Sequence, residues 1–149
     1  MKGLFFGGAR NTGKTESIYR LTKYLEETKA YSVIAGRTYI TLHEFQCILK
    51  KDHKKILIHS YSDDIRSINN FAKFYKENAP VDILIIAIRD ESDNLRNQLF
   101  KTIGVLDFKL EIPLGKVKRG ESRELSIEWY LNEIEQISKH IIESKPFNV

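Results

Sequence analysis

Few features of this chain place it in a specialised class of protein. It has one cysteine, Cys47, three prolines, and no apolar run long enough to span a membrane within its 149 residues. A single cysteine excludes an internal disulfide framework. Because the first strand is predicted to begin at residue 2, there is no room for a signal or transit peptide. We therefore expect a cytoplasmic protein without a membrane partner.

Charge and histidine content exclude two further classes of site. The 24 Lys+Arg against 20 Asp+Glu give a net charge of only +4. With no basic run of five residues and no aromatic RNA-binding signature, that excess does not indicate nucleic-acid binding. The four histidines lack metal-ligand spacing, so a zinc site is not expected. The rest of the composition, 42% hydrophobic and 30% charged, predicts one globular domain over residues 1–149.

Residues 8–15 are the most informative segment of the chain. They read Gly-Ala-Arg-Asn-Thr-Gly-Lys-Thr and match the pattern G-x-x-x-x-G-K-[ST] of a phosphate-binding loop, or P-loop. The glycines let successive backbone N–H groups surround a phosphate, Lys14 supplies a positive charge, and the Thr15 hydroxyl can ligate Mg²⁺. We expect a nucleoside triphosphate to be bound by this loop and the first helical turn after it, namely Gly8, Ala9, Arg10, Asn11, Thr12, Gly13, Lys14, Thr15 and Glu16.

Apolar patterning predicts an α/β fold. Strands are predicted at residues 2–6, 31–35, 55–60, 81–88 and 108–112. Helices are predicted at residues 14–28, 92–103 and 125–144, after a cap at Asp64, and after a capping box at residues 41–44. The alternation of strands and helices predicts a mostly parallel five-stranded sheet with helices on both faces. Cys47, in the helix predicted after the capping box, and Trp129 and Tyr130 are predicted to pack in the core.

The carboxyl ends of parallel strands should bring three loops together. These are the P-loop, the segment after Ser60 and the segment after Ile88. We predict that Asp63 shares Mg²⁺ with Thr15, and that Asp64 is chiefly a helix cap. Two alternatives stay open: Asp90 and Glu91 as the pair that holds the metal and activates water, and His59 as either an interior residue or a substrate ligand.

The strand, P-loop and helix resemble the P-loop NTPase superfamily. In its order of elements the chain is similar to small kinases, such as gluconate, adenylylsulfate and nucleotide kinases, and to a group of small bacterial P-loop proteins. The resemblance implies ATP and Mg²⁺ as cofactors, phosphoryl transfer to a small-molecule acceptor, and arginines that close over the triphosphate. The positions that could supply them are Arg89, Arg96, Arg119 and Arg123.

Two functions follow from this resemblance. In a kinase-like phosphotransferase, the expected catalytic residues are Lys14, Asp63, Arg119 and Arg123. Gly36-Arg37-Thr38 and His59 stand where those kinases carry carboxylates, which leaves as the alternative a nucleotide-dependent switch or slow NTPase acting through a protein partner. No Asn-Lys-x-Asp motif for guanine is present. We predict that Arg119 or Arg123 reaches the triphosphate if the strand at 108–112 runs parallel to the first.

Overall fold

The computed structural model describes residues 1–37, 44–90, 94–117 and 123–149. This part of the chain forms six strands and four helices. The strands are β1 (Lys2–Gly7), β2 (Ser32–Arg37), β3 (Gln46–Lys51), β4 (Lys54–His59), β5 (Ile83–Ile88) and β6 (Phe108–Pro113). The helices are α1 (Lys14–Glu27), α2 (Ile65–Asn78), α3 (Asn94–Ile103) and α4 (Arg123–Glu143). None of these helices, within the described residues, is long and apolar enough to cross a membrane.

The strands form one open, mixed sheet in the order β2-β3-β4-β5-β1-β6. Four neighbours, β4, β5, β1 and β6, run parallel to one another, whereas β3 is antiparallel to both β2 and β4. The α/β class is therefore confirmed. The prediction of a five-stranded sheet is wrong by one strand, and the mostly parallel character is limited to these four strands.

Apolar side chains leave both faces of the sheet, and each face is covered by two helices. Leu4 and Phe6 of β1 belong to one buried cluster, together with residues of α1 and α4. Phe5 belongs to a second cluster, with residues of α2 and α3. Successive side chains of a strand point to opposite faces, so a strand with continuous apolar residues, such as β5, is buried on both sides.

The strand that was not predicted is β3, which occupies a segment where a helix was predicted. Cys47, Ile48 and Leu49 are fully buried, and β3 pairs with β4 in a hairpin whose turn contains Asp52 with φ of +51°. A strand covered on both faces presents a continuous apolar run, which does not distinguish it from a helix. Thr41, Leu42 and His43 of the predicted capping box lie outside the described residues. Cys47 is in the core, as predicted, and burial raises the pKa of its thiol.

The last helix, α4, differs from its prediction at one aromatic residue. Leu131, Ile134 and Ile142 face the core, but Trp129 is 65% exposed, so its predicted core position is wrong. Trp129 lies beside Tyr130, which is half-buried against the cluster of α1 and α4. Neighbouring residues of a helix point about a quarter-turn apart, so an apolar pair in sequence need not be buried together.

Candidate functional site

The carboxyl ends of the parallel strands gather several loops at one edge, here called the carboxyl rim: the residues that directly follow β1, β4, β5 and β6. The loop after β1 is held between its neighbours, because Gly8 N donates to Ile88 O at 3.2 Å and Leu114 N donates to Gly7 O at 2.7 Å. The segments after β4 and β5 start at the same edge. The predicted convergence of these segments is therefore present.

The loop at residues 8–15 contains two glycines with positive φ. Gly8 has φ of +152° and Gly13 has φ of +87°. A Cβ on Gly8 would lie 2.6 Å from the Leu114 carbonyl oxygen, so only glycine fits there. Gly13 is the N-cap of α1 and, as a glycine, has no side chain to cap the first turn of this helix. The N–H groups of that turn and the positive end of the helix dipole therefore face the loop.

Lys14 lies across this loop and is 94% buried, with 6% of its surface exposed. Its Nζ donates to Gly8 O at 2.8 Å and to Ala9 O at 2.6 Å, and the Thr12 hydroxyl donates to Ala9 O at 3.0 Å. Burial is the main influence on the Lys14 ammonium and lowers its pKa, whereas the Asp63 carboxylate acts in the opposite direction. An ammonium has three donors, so two loop carbonyls leave one donor for a phosphate oxygen.

Thr15 and Asp63 line one cavity beside the loop. The cavity has a volume of about 400 Å³ and is lined by residues 11–16 with Glu44, Ser60, Tyr61 and Asp63. Thr15 Oγ1 donates to the Ser60 carbonyl at 3.0 Å, which ties α1 to the end of β4. The structure thus brings the predicted hydroxyl and the predicted carboxylate to the same space.

Asp63 and its neighbour Asp64 have different partners. Asp64 is the N-cap of α2: its carboxylate accepts from Ser67 N at 2.7 Å, and the Ser67 side chain completes a capping box. The predicted role of Asp64 as a cap is confirmed. Asp63 instead faces two arginines, with Arg89 Nε at 3.2 Å and Arg10 Nε at 3.9 Å from its carboxylate oxygens.

The donor set at the cavity fits magnesium better than a transition metal. Within the described residues, no group of three or more His, Cys, Asp and Glu side chains is placed to hold a metal. Mg²⁺ prefers oxygen ligands, keeps several waters and is commonly bound through one or two protein groups and substrate phosphates. Thr15 and Asp63 together offer one hydroxyl and one carboxylate of this kind.

The remaining predicted arginines have separate positions. β6 runs parallel to β1, so the condition for the loop after β6 to start at the carboxyl rim is met. Arg119 lies outside the described residues. Arg123 is the first residue of α4 and lines a small cavity of about 70 Å³ with residues 11–13 of the P-loop. Arg96 is committed to Glu111 by two hydrogen bonds of 2.9 and 2.5 Å.

The remaining candidates differ in where they lie relative to the cavity that contains Thr15 and Asp63. Asp90 lines a separate cavity on the other side of β1, beside Arg96, and Glu91 lies outside the described residues. Glu16 lines the cavity, but its carboxylate also accepts from Arg20 Nε at 2.7 Å. His59 is fully buried against the rings of Tyr61 and Phe71, and burial lowers its pKa to about 3. This is the interior arrangement of the two left open for His59.

A further cavity lies at the opposite end of the sheet. It measures about 600 Å³ and is lined by residues 1–2, 51–54, 81–83 and 147–149, with Tyr31. Within the described residues that line it, lysine side chains donate to the carbonyls of Pro146, Phe147 and Asn148. Those lysines are occupied by the chain itself, and no helix begins there, so the carboxyl rim is the better candidate.

Sequence reasoning missed the partner of Asp63. Arg89 is one of the four arginines that could close over the triphosphate according to the sequence, and nothing in its local sequence indicates that it pairs with Asp63. The adjacency of β4 and β5 in the sheet brings the two residues together. Glu44 and Tyr61, which line the cavity, were also not predicted.

Comparison of the chain with protein-family models, with curated proteins and with solved structures finds no match. What the site binds must therefore be inferred from its own residues and their geometry.

Proposed function

We propose that this chain binds a nucleoside triphosphate, namely ATP, with Mg²⁺ at the carboxyl rim, and that it belongs to the P-loop NTPase superfamily. The observation that carries the proposal is the loop at residues 8–15. Its sequence matches the P-loop pattern, its backbone has positive φ at Gly8 and Gly13, and the Lys14 ammonium lies within it. A strand precedes the loop and a helix follows it, and helices cover both sheet faces, which supports a three-layer P-loop fold.

The proposal assigns a role to the backbone of the loop and to the side chains of Lys14, Thr15 and Asp63. The N–H groups of residues 8–15 and Lys14 bind the β- and γ-phosphates, while Thr15 and Asp63 hold the metal directly or through water. When bound, Mg²⁺ neutralises charge on the phosphates. Phosphoryl transfer needs mainly positioning and electrostatic stabilisation, and these residues provide both.

A second cavity favours a kinase-like phosphotransferase as the specific activity. It measures about 270 Å³ and shares Glu44, Tyr61 and Asp63 with the cavity beside the P-loop. Its other lining residues are on or next to α2 and are polar: Asp64, Arg66, Ser67 and Asn70. A small polar acceptor placed there would lie on the far side of Asp63 from Lys14, and the Asp63 carboxylate could accept its hydroxyl proton.

The alternative is a nucleotide-dependent switch, and the surface of α4 is the feature that favours it. Trp129 and Leu125 are exposed one helical turn apart, and exposed aromatic residues are common at protein interfaces. The same helix contacts the P-loop: Leu131 Cδ2 lies 3.0 Å from the position of a Cβ on Gly13. Arg20 of α1 also donates to Asn132 Oδ1 at 2.7 Å. A change in the backbone of the loop would therefore alter its contacts with α4.

Thermal unfolding with and without Mg·ATP tests the shared part of both functions. At a hundred-fold excess over Kd, a ligand stabilises the folded state by about 2.7 kcal/mol. For a domain of this size, that raises the melting temperature by roughly 5–10 °C. We expect Lys14→Ala to lose most of this increase, and Lys101→Ala, an exposed lysine of α3, to keep it. An unchanged melting temperature of the wild type at millimolar Mg·ATP would refute the proposal.

The choice between the two activities needs a turnover assay. ADP release is measured with pools of small hydroxylated or amino compounds, and separately with protein fractions. Stimulation by a small compound that is lost in Asn70→Ala supports the phosphotransferase. Stimulation by a protein fraction that is lost in Trp129→Ala supports the switch.

A further inference from the structure

Two charged side chains form an ion pair between neighbouring strand ends at the carboxyl rim. Arg89 directly follows β5, and Asp63 lies shortly after β4. Arg89 Nε is 3.2 Å from Asp63 Oδ1, and Arg89 Nη2 donates to the Asp63 backbone carbonyl at 3.3 Å. The side chain of Arg89 is only 13% exposed and that of Asp63 is 31% exposed. One residue thus holds the guanidinium through both its side chain and its backbone.

The side-chain part of this pair is poorly aligned. Asp63 Oδ1 and Arg89 Nε are shielded from solvent, and neither has a hydrogen-bond partner within the described residues. Buried polar groups are normally hydrogen-bonded, and the best arginine–carboxylate pairs are bidentate. Arg96 and Glu111 have that bidentate geometry a short distance away. Since Arg89 and Asp63 attract each other without an aligned hydrogen bond, they cost less to separate than such a pair.

Arg89 is also next to the P-loop. Gly8 N donates to the carbonyl of Ile88, so the backbone of Arg89 starts beside the first residue of the loop. The charges of Arg89 and Asp63 both act on Lys14: the guanidinium lowers the pKa of the ammonium and the carboxylate raises it. Asp90 and Arg10 also act on this ammonium, so Arg89 and Asp63 belong to a larger set of charges around the loop.

We propose that Arg89 recognises the γ-phosphate, and that the ion pair with Asp63 keeps Arg89 away from this position until the metal and the triphosphate bind. This inference rests on the proposed function. If Mg²⁺ were held beside Thr15, the Asp63 carboxylate would be drawn toward it and the Arg89 guanidinium would be repelled. The γ-phosphate then accepts hydrogen bonds from the guanidinium, whose planar fork matches phosphate oxygens. A diphosphate has no γ-phosphate, so with ADP the Arg89 guanidinium would gain no new partner in place of Asp63.

Two other described arginines at the rim, Arg96 and Arg10, are less suited to this role. Arg96 donates to both carboxylate oxygens of Glu111 and to the carbonyl of Arg89. Arg10 has a side chain that is 68% exposed and approaches Asp63 only to 3.9 Å. Arg89 combines low exposure, a weakly aligned partner and a position directly after Ile88, whose carbonyl accepts from Gly8 N.

The first test compares the binding of Mg·AMP-PNP and Mg·ADP by titration calorimetry. Arg89→Ala should weaken the binding of AMP-PNP by about ten-fold or more, which is the effect of one hydrogen bond to a charged group. ADP affinity should change by less than about two-fold, because ADP does not recruit Arg89. Arg89→Lys keeps the charge without the fork and should be intermediate. Lys101→Ala, at the exposed lysine of α3, is the control and should change neither affinity.

The second test removes the metal and asks whether Asp63 restrains Arg89. In EDTA, Asp63→Asn should bind AMP-PNP several-fold more tightly than the wild type, because Arg89 is released. The double variant Asp63→Asn with Arg89→Ala should lose this gain. A gain that persists without Arg89 would mean that Asp63 acts only through its own negative charge, and would overturn the inference.

The outcomes separate this inference from the proposed function. ADP affinity reports whether each variant is folded and still has its P-loop. If the wild type binds neither nucleotide, both the proposed function and the role of Arg89 are wrong. If Arg89→Ala weakens both nucleotides equally, or neither, nucleotide binding stands and the role of Arg89 in recognising the γ-phosphate is wrong.

Discussion

Replacing Gly8 by alanine should damage both the stability and the nucleotide site of this protein. Gly8 has φ of +152°, a conformation that residues with a side chain rarely adopt. The added methyl group would lie 2.6 Å from the Leu114 carbonyl oxygen and 2.9 Å from the Thr12 hydroxyl. Backbone strain of this kind costs about 1–3 kcal/mol. Forcing extra atoms into a packed site costs a similar amount. We expect Gly8→Ala to lower the free energy of unfolding by about 2–4 kcal/mol.

Gly115→Ala is the matched control for this substitution. Gly115 follows β6 at the same rim, and a Cβ there meets no atom within 4 Å. Its stability should change by less than about 0.5 kcal/mol. Urea unfolding of both variants, followed by circular dichroism, measures the difference, and calorimetry of Mg·AMP-PNP measures binding. If the two variants were equally stable and bound the nucleotide equally well, the tight approach of β6 to the P-loop would not constrain residue 8.

Two further predictions concern stability away from the phosphate site. Trp129→Ala should change the free energy of unfolding by less than about 0.5 kcal/mol, because Trp129 is exposed. Leu131→Ala, on the buried face of α4, should lower it by about 2–5 kcal/mol. Urea unfolding measures both, and a large loss for Trp129→Ala would contradict its exposed position. Burial lowers the pKa of His59 to about 3 in the folded state, from 6.5 when unfolded. The stability that neutral His59 contributes is therefore present above the unfolded pKa and is lost as the pH falls. Between pH 7 and pH 5 the wild type should therefore lose about 2 kcal/mol more than His59→Gln, and equal losses would refute the buried neutral state of His59.

Most of the helices and strands could be predicted from the sequence, but the number and order of strands in the sheet could not. α1, α2 and β5 could be predicted because each has a strong local signal: a helical stripe after a motif or a cap, or a long apolar run. β3 could not, since Cys47, Ile48 and Leu49 form a short apolar run that fits a buried strand and a helix equally well. The order of strands depends on tertiary packing, which local patterns do not report.

The candidate site divides in the same way. Lys14, Thr15 and the glycines belong to one continuous segment, so their proximity to one another could be predicted from the motif. Asp63 was predicted from its position after a strand, and the structure places it in the same cavity as Thr15. Its pairing with Arg89 joins residues from two strands whose adjacency only the fold reveals. Trp129 was placed in the core because large apolar residues usually are, and its exposure is the more informative observation.

A crystal structure of the chain with Mg·AMP-PNP tests the central claim most directly, because the structure offers two competing sites at opposite ends of the sheet. We expect the triphosphate to lie in the loop at residues 8–15, with Lys14 on its β- and γ-phosphates and Mg²⁺ beside Thr15 and Asp63. A nucleotide bound instead in the 600 Å³ cavity at the opposite end, or a metal shell built on Asp90, would contradict this account.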